Sequence, residues 1–278
     1  MKQKCPLVSV VITTKNEEKN IQNCLQSIKN QTYGNIEIIV VDNGSDDQTQ
    51  AIAKRYTAKV FTKGPERSAQ RNFGAKRAKG KYYLYIDADM TLSIGVINDC
   101  VNMCEHDSTL TGLYIPEKIT GTGFWNKVRN FERGFYNGTV IDCVRFVPLN
   151  IFKKTGGFDT ALTGPEDWDF DKKVRNLGKI GIIQSHINHN ECQFDLSKYL
   201  SKKSYYAKSM GAYARKWGQN DPDVKKQLGA YYRMVGVFIE NGKWKRLKSK
   251  PVLTVGVYLL RMMVGLSYII RRTVYGFS

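Results

Sequence analysis

The side chains in this chain best suited to chemistry are acidic residues that directly follow apolar runs. Asp87-Ala88-Asp89 follows the run YYLYI, and Asp42 ends the run IEIIVVD. Two carboxylates one residue apart can bind a hard divalent cation, Mg²⁺ or Mn²⁺, because such ions prefer oxygen ligands. A DxD pair alone is weak evidence, since such pairs also occur in surface turns. Its place after a buried strand therefore carries the prediction of a metal site.

A second acidic group lies in the segment GPEDWDF, residues 164–170. Acidic residues in the first turn of a helix interact favourably with the helix dipole, which explains part of the pattern. Four acids among residues 166–171, in a chain short of acids, favour a functional role in which one carboxylate acts as a general base. His186 and His189 follow the strand-like run GKIGIIQ. A histidine is often structural, but we expect His189, in a loop, to be a third metal ligand.

Arg67, Arg71 and Asn72 lie just before the DxD strand. Arg67 and Arg71 are four residues apart and share one helical face. A solvated basic face is the simpler explanation for this pattern, but for Arg71 a contact with a diphosphate is equally well supported. The chain has neither GxGxxG after its first strand nor GxxxxGK[ST], so dinucleotide-binding and P-loop folds lose their main support.

The elements that must position these residues alternate between strands and helices. The Val- and Ile-rich runs 7–12 and 36–42 predict strands covered on both faces, with a helix between them. Further strands are predicted near Val60 and at 82–86, with helices at 47–56 and 66–78. This order predicts an α/β domain with an open, mostly parallel sheet. Ligands bind at the carboxyl ends of such strands, which indicates the loops 13–18, 42–47 and 87–90.

Composition excludes several classes of protein. The 278 residues are 42% apolar and 24% charged, which excludes a disordered chain. Six cysteines without a CxxC pair and three histidines make a zinc module or a disulfide framework improbable and favour a reducing compartment. No signal-peptide core precedes the first strand, so we expect no secretion by that route.

The charge is unevenly distributed. Residues 198–278 hold 17 basic and 3 acidic side chains, whereas residues 1–197 hold 26 and 22. We therefore predict two domains, 1–195 and 196–278, the second made of basic helices at 197–217 and 223–240 and a linker, KWKRLKSK, at 243–250. A strongly basic tail favours an anionic partner, such as an anionic membrane surface or, as a weaker alternative, nucleic acid.

The apolar run 252–270 contains Arg261 and is long enough to consider as a transmembrane helix. Its small or polar residues recur at spacings of three and four and form one stripe on a helix: Thr254, Tyr258, Arg261, Gly265, Tyr268 and Arg272. We predict an amphipathic helix at about 251–272 that lies in the membrane interface with this stripe facing water. A spanning helix and an ordinary buried helix remain as alternatives.

Taken together, these segments resemble the family 2 glycosyltransferases, which have the GT-A fold. The resemblance covers about residues 7–195 and is carried by VSVVITTKNEEKNIQNCLQSIKNQ, IEIIVVDNGSDDQT, RNFGAKRAKGKYYLYIDADM, GGFD and GPEDWDF, in that order. It implies inverting transfer of a sugar from a nucleoside diphosphate sugar, with uridine the base favoured by family frequency. The QxxRW motif of processive synthases is absent, which favours addition of a single sugar.

The resemblance and the loop positions together assign the candidate residues. Asp167 is the expected catalytic base, and Asp89 and His189 are the expected ligands of Mg²⁺ or Mn²⁺. The residues expected at the donor are Thr13, Asn16, Glu17, Asp42, Arg71, Asp87 and Asp89. Those expected at the acceptor are Glu166, Trp168, Lys202, Lys203 and Tyr206, the last three from a segment that interleaves Lys with Tyr.

The basic tail suggests a membrane-borne acceptor, a polyprenyl-phosphate or a lipid-linked saccharide, at the cytoplasmic face of the cell membrane. Two other functions remain open. A sugar nucleotidyltransferase also uses an α/β sheet and a metal, but it usually has a Gly-rich basic loop where this chain has TTKNEE. A nucleic-acid binder leaves the carboxylates at 42, 87–89 and 166–167 unexplained.

Overall fold

The computed structural model describes residues 5–275, and the side chains of residues 5–267. They form two compact units. The first unit consists of the chain up to Lys118, Asp142–Ala161 and Glu166–Asn190, and the second of Ile119–Ile141, Leu162–Pro165 and the chain from Glu191 onward. The single boundary predicted at residue 195 therefore differs from the structure, because residues 119–141 belong to the second unit.

The strands follow one another along the chain as β1 Val8–Thr14, β2 Ile36–Asp42, β3 Val60–Thr62, β4 Tyr82–Asp87, β5 Met90–Leu92, β6 Leu110–Tyr114, β7 Glu117–Thr122, β8 Phe146–Pro148, β9 Lys179–Ile182 and β10 Ile187–Gln193. The helices are α1 Ile21–Lys29, α2 Thr49–Lys54, α3 Glu66–Arg77, α4 Val96–His106, α5 Phe124–Arg133, α6 Leu149–Lys154, α7 Glu166–Arg175, α8 Leu196–Ala207, α9 Met210–Trp217, α10 Pro222–Leu228, α11 Val237–Ile239, α12 Trp244–Ser249 and α13 Pro251–Tyr275.

The first unit is built on a seven-stranded sheet in the order β3-β2-β1-β4-β8-β6-β9. The neighbours β3, β2, β1 and β4 are parallel, which confirms the predicted mostly parallel sheet. β8 runs antiparallel between β4 and β6, and the sequence did not predict this strand. Three short strands form a second sheet in the order β5-β10-β7.

Apolar side chains cover both faces of the large sheet. On one face, residues of α1 and α4 pack with alternate residues of β1 and β4, and Ile21, Leu25 and Ile28 of α1 are buried there at spacings of four and three. On the other face, residues from α3, α6 and α7 pack around Tyr83 and Tyr85. Burying one such aliphatic side chain stabilises the fold by about 1.5–3 kcal/mol, so two covered faces explain the unbroken Val and Ile runs.

The second unit has a core between α5 and the C-terminal segments. Val128, Phe131 and Phe135 pack with Phe238 and Val257. The helix predicted at 223–240 is interrupted, because α10 ends at Leu228 and a π-helix follows over Tyr232–Gly236. The predicted linker 243–250 is largely helical, as α12.

The long helix α13 confirms the helix predicted at 251–272, but its orientation is opposite to the prediction. The side chain of Arg261 is only 9% exposed, and its Nε donates to Glu132 Oε1 at 2.9 Å. Thr254 donates to the carbonyl of Leu247, and the Tyr258 ring lies 5.7 Å from that of Phe238. The stripe thus packs inward, because Glu132 compensates the charge of Arg261.

The solvent-facing side of α13 is apolar. Its exposed residues, at spacings of three and four, are Val252, Val255, Leu259, Met262 and Leu266, each 49–67% exposed. Tyr268 and Arg272 of the predicted stripe lie outside the described side chains. In the part of the chain that the structure describes, no helix has both the length and the apolar character needed to cross a bilayer.

Candidate active site

Polar residues meet at the carboxyl ends of three neighbouring parallel strands of the first unit. Thr14 of β1 lies opposite Asp42 of β2, and Thr13 lies opposite Asp87 of β4. The Thr13 hydroxyl donates to Asp87 Oδ1 at 2.6 Å. The parallel register therefore brings together residues that the sequence separates by 29 to 74 positions, as the alternation of strands and helices predicts.

Arg71 of α3 connects this strand edge to α7. It is fully buried, and its guanidinium donates to Asp167 Oδ1 at 2.7 Å and to Asp87 Oδ1 at 3.0 Å. Burial opposes its charge, but Asp167 and then Asp87 raise the pKa of Arg71 above its usual value. Its guanidinium carbon also lies 4.6 Å from the centre of the Tyr85 ring.

This placement corrects the expected diphosphate contact of Arg71. The side chain is enclosed by Asp87, Asp167 and aromatic rings, so it positions the two carboxylates. Although burial opposes ionisation of Asp87, Arg71 and Arg67 hold the pKa of this carboxyl well below its usual range. A basic residue four positions from another did not reveal a buried partner.

The two acids that begin α7 have different environments. Glu166 is almost fully buried and accepts from Arg67 Nη2 at 2.9 Å, and burial followed by the charge of Asp167 raises its pKa. The side chain of Asp167 is 23% exposed. Because Glu166 is buried in an ion pair, the expectation that it contacts an acceptor is wrong, whereas Asp167 remains available at the surface of the site. Trp168, the other α7 residue expected at the acceptor, is half-buried.

Asp89 lies on the loop between β4 and β5, beside His189. His189 Nε2 lies 3.2 Å from Asp89 Oδ2, and its Nδ1 lies 2.9 Å from Glu117 Oε1. Burial lowers the pKa of His189, but the two carboxylates, Asp89 first, raise it to about 10. His189 pairs with Met90 inside β10, so the predicted loop position is wrong. Glu117 was missed by sequence reasoning, since nothing in its neighbourhood marks it.

These residues fit a divalent cation with few protein ligands. Asp89 Oδ1 is buried and has no hydrogen-bond partner among the described residues, so one hard oxygen is free for an ion. Within residues 5–267 no three His, Cys, Asp or Glu side chains converge to hold a metal by themselves. Asp89 and His189 would therefore supply only part of a coordination shell, which oxygens of a bound phosphate group can complete.

The loops beside β1 and β2 are joined by hydrogen bonds. Asn16, with φ of 54°, donates its backbone N–H to Ser45 Oγ at 2.8 Å, and its side chain accepts from the backbone of Asp46. Glu17 donates its backbone N–H to Thr49 Oγ1. Asp42 is fully buried and its carboxylate already accepts from Ser45 and Gln50, which differs from the free carboxylate that the sequence predicted.

The other residues predicted at the acceptor belong to the second unit. Lys202 is exposed on α8, and its Nζ lies 6.0 Å from the centre of the Tyr206 ring. Lys203 is half-buried, with its Nζ 5.3 Å from the centre of the Tyr199 ring. Tyr206 packs closely against Gly164. These three are thus described within that unit alone.

The parallel sheet with its polar carboxyl edge is that of a glycosyltransferase with the GT-A fold. The chain belongs to the family described as Glycosyl transferase family 2, which matches residues 9–160. An uncharacterized glycosyltransferase of Rickettsia felis is 28% identical over 200 residues, which cover 65% of this chain and 33% of that protein. Glycosyltransferase AglE of Haloferax volcanii is 36% identical over 93 residues, covering 30% of this chain and 31% of its own. The matched part thus spans about a third of each relative.

Solved structures support the same fold. The mannosyltransferase PcManGT of Pyrobaculum calidifontis, determined with GDP-Man and Mn²⁺, superposes with a TM-score of 0.63 at 18% identity, covering 98% of this chain and 88% of that one. TarS of S. aureus superposes with a TM-score of 0.58 at 18% identity, covering 95% and 53%. At this identity the likeness concerns the fold. The family match leaves the nucleotidyltransferase and the nucleic-acid binder without support.

Proposed function

We propose that this glycosyltransferase transfers one sugar, with inversion, from a nucleoside diphosphate sugar to a membrane-borne acceptor, and that it uses Mg²⁺ or Mn²⁺. The observation that carries this proposal is the network Asp87–Arg71–Asp167 beside the pair Asp89–His189 at one sheet edge. One partly exposed carboxylate and a separate potential metal site are what a direct displacement needs.

In this proposal Asp167 is the base. An acceptor hydroxyl gives its proton to Asp167, its oxygen bonds to the anomeric carbon, and the bond from that carbon to the diphosphate oxygen breaks. The nucleoside diphosphate leaves with the electron pair. Because the acceptor attacks from the face opposite the leaving group, one base suffices and the configuration inverts. Arg71 holds Asp167 in position at 2.7 Å.

Asp89 and His189 are the residues that would hold the metal ion. When bound, the ion would offset the negative charge that develops on the leaving diphosphate. Glu117 keeps the His189 ring oriented through Nδ1, so that Nε2 faces Asp89. Thr13, Asn16, Glu17 and Asp42 lie along the edge where the nucleoside is expected. Structural neighbours determined with UDP, UDP-GlcNAc or GDP-Man support a nucleotide sugar, and uridine is the base we expect.

The second unit supports a membrane-borne acceptor. The outward side of α13 exposes apolar residues along four turns, and α12 before it carries Trp244, 42% exposed, with three cations between 245 and 248. Apolar surface on one helix side together with Lys and Arg is the pattern of a helix that lies on an anionic leaflet. We therefore place the protein peripherally at the cytoplasmic face of the cell membrane.

A nucleotide panel tests the donor and metal parts together. Thermal unfolding is measured with UDP, GDP, CDP or ADP, each with Mn²⁺, with Mg²⁺ and with EDTA. We expect one nucleotide to raise the melting temperature, and only when metal is present, because a ligand that binds only the folded state stabilises it. Equal stabilisation with EDTA would contradict metal-assisted binding. Release of nucleoside diphosphate, not pyrophosphate, from the matching nucleotide sugar then identifies the reaction.

A further inference from the structure

The second unit contains a group of cations around one aromatic ring. The guanidinium carbons of Arg133, Arg233 and Arg261 lie 5.8–5.9 Å from the centre of the Tyr136 ring. Arg129 and Lys203 lie beside the neighbouring Tyr199 ring, at 4.9 and 5.3 Å. We call these five cations, with Tyr136, Tyr199 and the acids Glu132 and Glu191, the Tyr136 cluster.

The two acids of the cluster are committed to two of its cations. Arg129 Nη1 lies 2.6 Å from Glu132 Oε2, and its Nη2 lies 3.0 Å from Glu191 Oε1. Arg261 Nε lies 2.9 Å from Glu132 Oε1. Five cations and two carboxylates leave an excess of three positive charges within the cluster.

Two further observations indicate that this charge is incompletely compensated. Arg233 Nη1 is buried and has no hydrogen-bond partner in the described part of the chain. Burial, followed by the charges of Arg129 and Arg233, lowers the pKa of Lys203 to about 7, and Glu132 opposes this shift only in part. A buried, unpaired guanidinium nitrogen is costly, so such a site favours an anion.

We propose that Arg233 and Lys203, supported by Arg133, bind the phosphate group of a phosphate ester at the Tyr136 cluster. Phosphate suits the site because its several oxygens accept from a planar guanidinium and from an ammonium at once. Arg233, Lys203, Arg133 and Tyr136 are all half-buried, so the group is partly desolvated yet reachable from solvent. Binding of the phosphate is independent of the proposed function, whereas its role as the acceptor's phosphate rests on that function.

Titration calorimetry with inorganic pyrophosphate in EDTA tests the site. Wild type is compared with Arg233→Met, Lys203→Met and a matched control, Lys225→Met, which removes an exposed cation of α10. We expect both cluster variants to bind pyrophosphate about tenfold to a hundredfold more weakly, and the control to bind as wild type does. Equal affinity in all four proteins, or no binding by wild type, would overturn the proposal.

Folding and the donor site are checked with the same proteins. Arg233→Met replaces a partly unpaired cation with an apolar chain of similar length, so we expect its melting temperature to stay close to that of wild type. UDP binding with Mn²⁺ should be unchanged in this variant. If UDP binding is absent in every protein while pyrophosphate binding depends on Arg233, the proposed function fails and the phosphate site stands.

Competition identifies the source of the phosphate. Vesicles of phosphatidylcholine with a polyisoprenyl phosphate and, separately, soluble glucose 1-phosphate are titrated against bound pyrophosphate. Displacement by the vesicles alone supports a lipid phosphate, and displacement by the sugar phosphate supports a soluble ester. Displacement by neither would overturn the assignment to a phosphate ester.

Discussion

The Arg71 guanidinium donates to Asp167 at 2.7 Å while being completely shielded from solvent. Asp167 itself is partly exposed, so one end of this contact is fixed in the core and the other faces the site. Because Arg71 also donates to Asp87, the end of β4 and the first turn of α7 are connected through one side chain. The expected base is therefore positioned by the core.

Removal of the base should stop transfer without weakening donor binding. We expect Asp167→Asn to lower kcat about 10²–10⁴-fold, because the amide cannot take the acceptor proton. Calorimetry with UDP and Mn²⁺ should show a Kd near that of wild type. Transfer at more than a tenth of the wild-type rate would show that another group is the base.

Arg71 should matter for stability as much as for activity. Arg71→Met leaves Asp87 without its closest cation, and breaking a buried ion pair costs about 3–5 kcal/mol. Urea unfolding measures this change. The control is Lys76→Met, an exposed residue on the same helix, which should unfold within about 0.5 kcal/mol of wild type. A loss of activity in Arg71→Met with unchanged stability would contradict the buried role.

Glu117 should act on metal affinity through His189. It receives the Nδ1 contact of His189 and is held by Arg145 Nη2 at 3.2 Å. We expect Glu117→Gln to weaken Mn²⁺ binding about 10–100-fold, as for other carboxylates that orient a metal-binding histidine. Paramagnetic resonance of free Mn²⁺ measures this in the presence of UDP. Glu105→Gln, a change on α4, serves as the control, and equal Mn²⁺ affinity in both variants would exclude the orienting role.

Glu132 predicts an acid-labile contribution to stability. Burial opposes its ionisation, but Arg129 and Arg261 lower its pKa to about 2. A carboxyl whose pKa falls on folding stabilises the protein fully above its unfolded pKa, and this contribution disappears as the pH falls toward the folded pKa. Between pH of about 4.5 and 2 we expect the loss of about 3 kcal/mol.

Urea unfolding of wild type and Glu132→Gln over this pH range measures the effect. At pH of about 7 the variant should be less stable than wild type. The difference between the two should shrink as the pH decreases, because the wild-type carboxyl becomes neutral. A difference that stays constant down to pH of about 2 would contradict the ion-paired state of Glu132.

The outward side of α13 should bind lipid. We expect Leu259→Asp together with Met262→Asp to reduce co-sedimentation with anionic vesicles about 10²-fold or more, since each apolar side chain contributes about 1.5–3 kcal/mol when buried. Leu177→Asp, an exposed leucine of the first unit, is the control. Equal vesicle binding by both proteins would remove the basis for a membrane-borne acceptor.

Periodicity and strand composition predicted β1 to β4 and the helices between them, because each of these segments carries its own apolar pattern. The same local patterns placed Asp87 and Asp167 at a site. They did not predict that Arg71 is buried between them, since burial of an arginine depends on partners 16 and 96 positions away. The orientation of α13 was predicted wrongly for the same reason, because its polar stripe is satisfied by Glu132, 129 positions earlier.

The core of the second unit combines α5 with segments far later in the chain, and Gly256 of α13 lies against Val128 and Phe124 of α5. A shortened protein that stops near residue 195 would therefore retain α5 but lose the partners of Val128, Phe131 and Phe135. Such a fragment would carry a newly uncovered greasy surface and should precipitate on expression. Trimming the C-terminus is consequently a poor route to an isolated catalytic core.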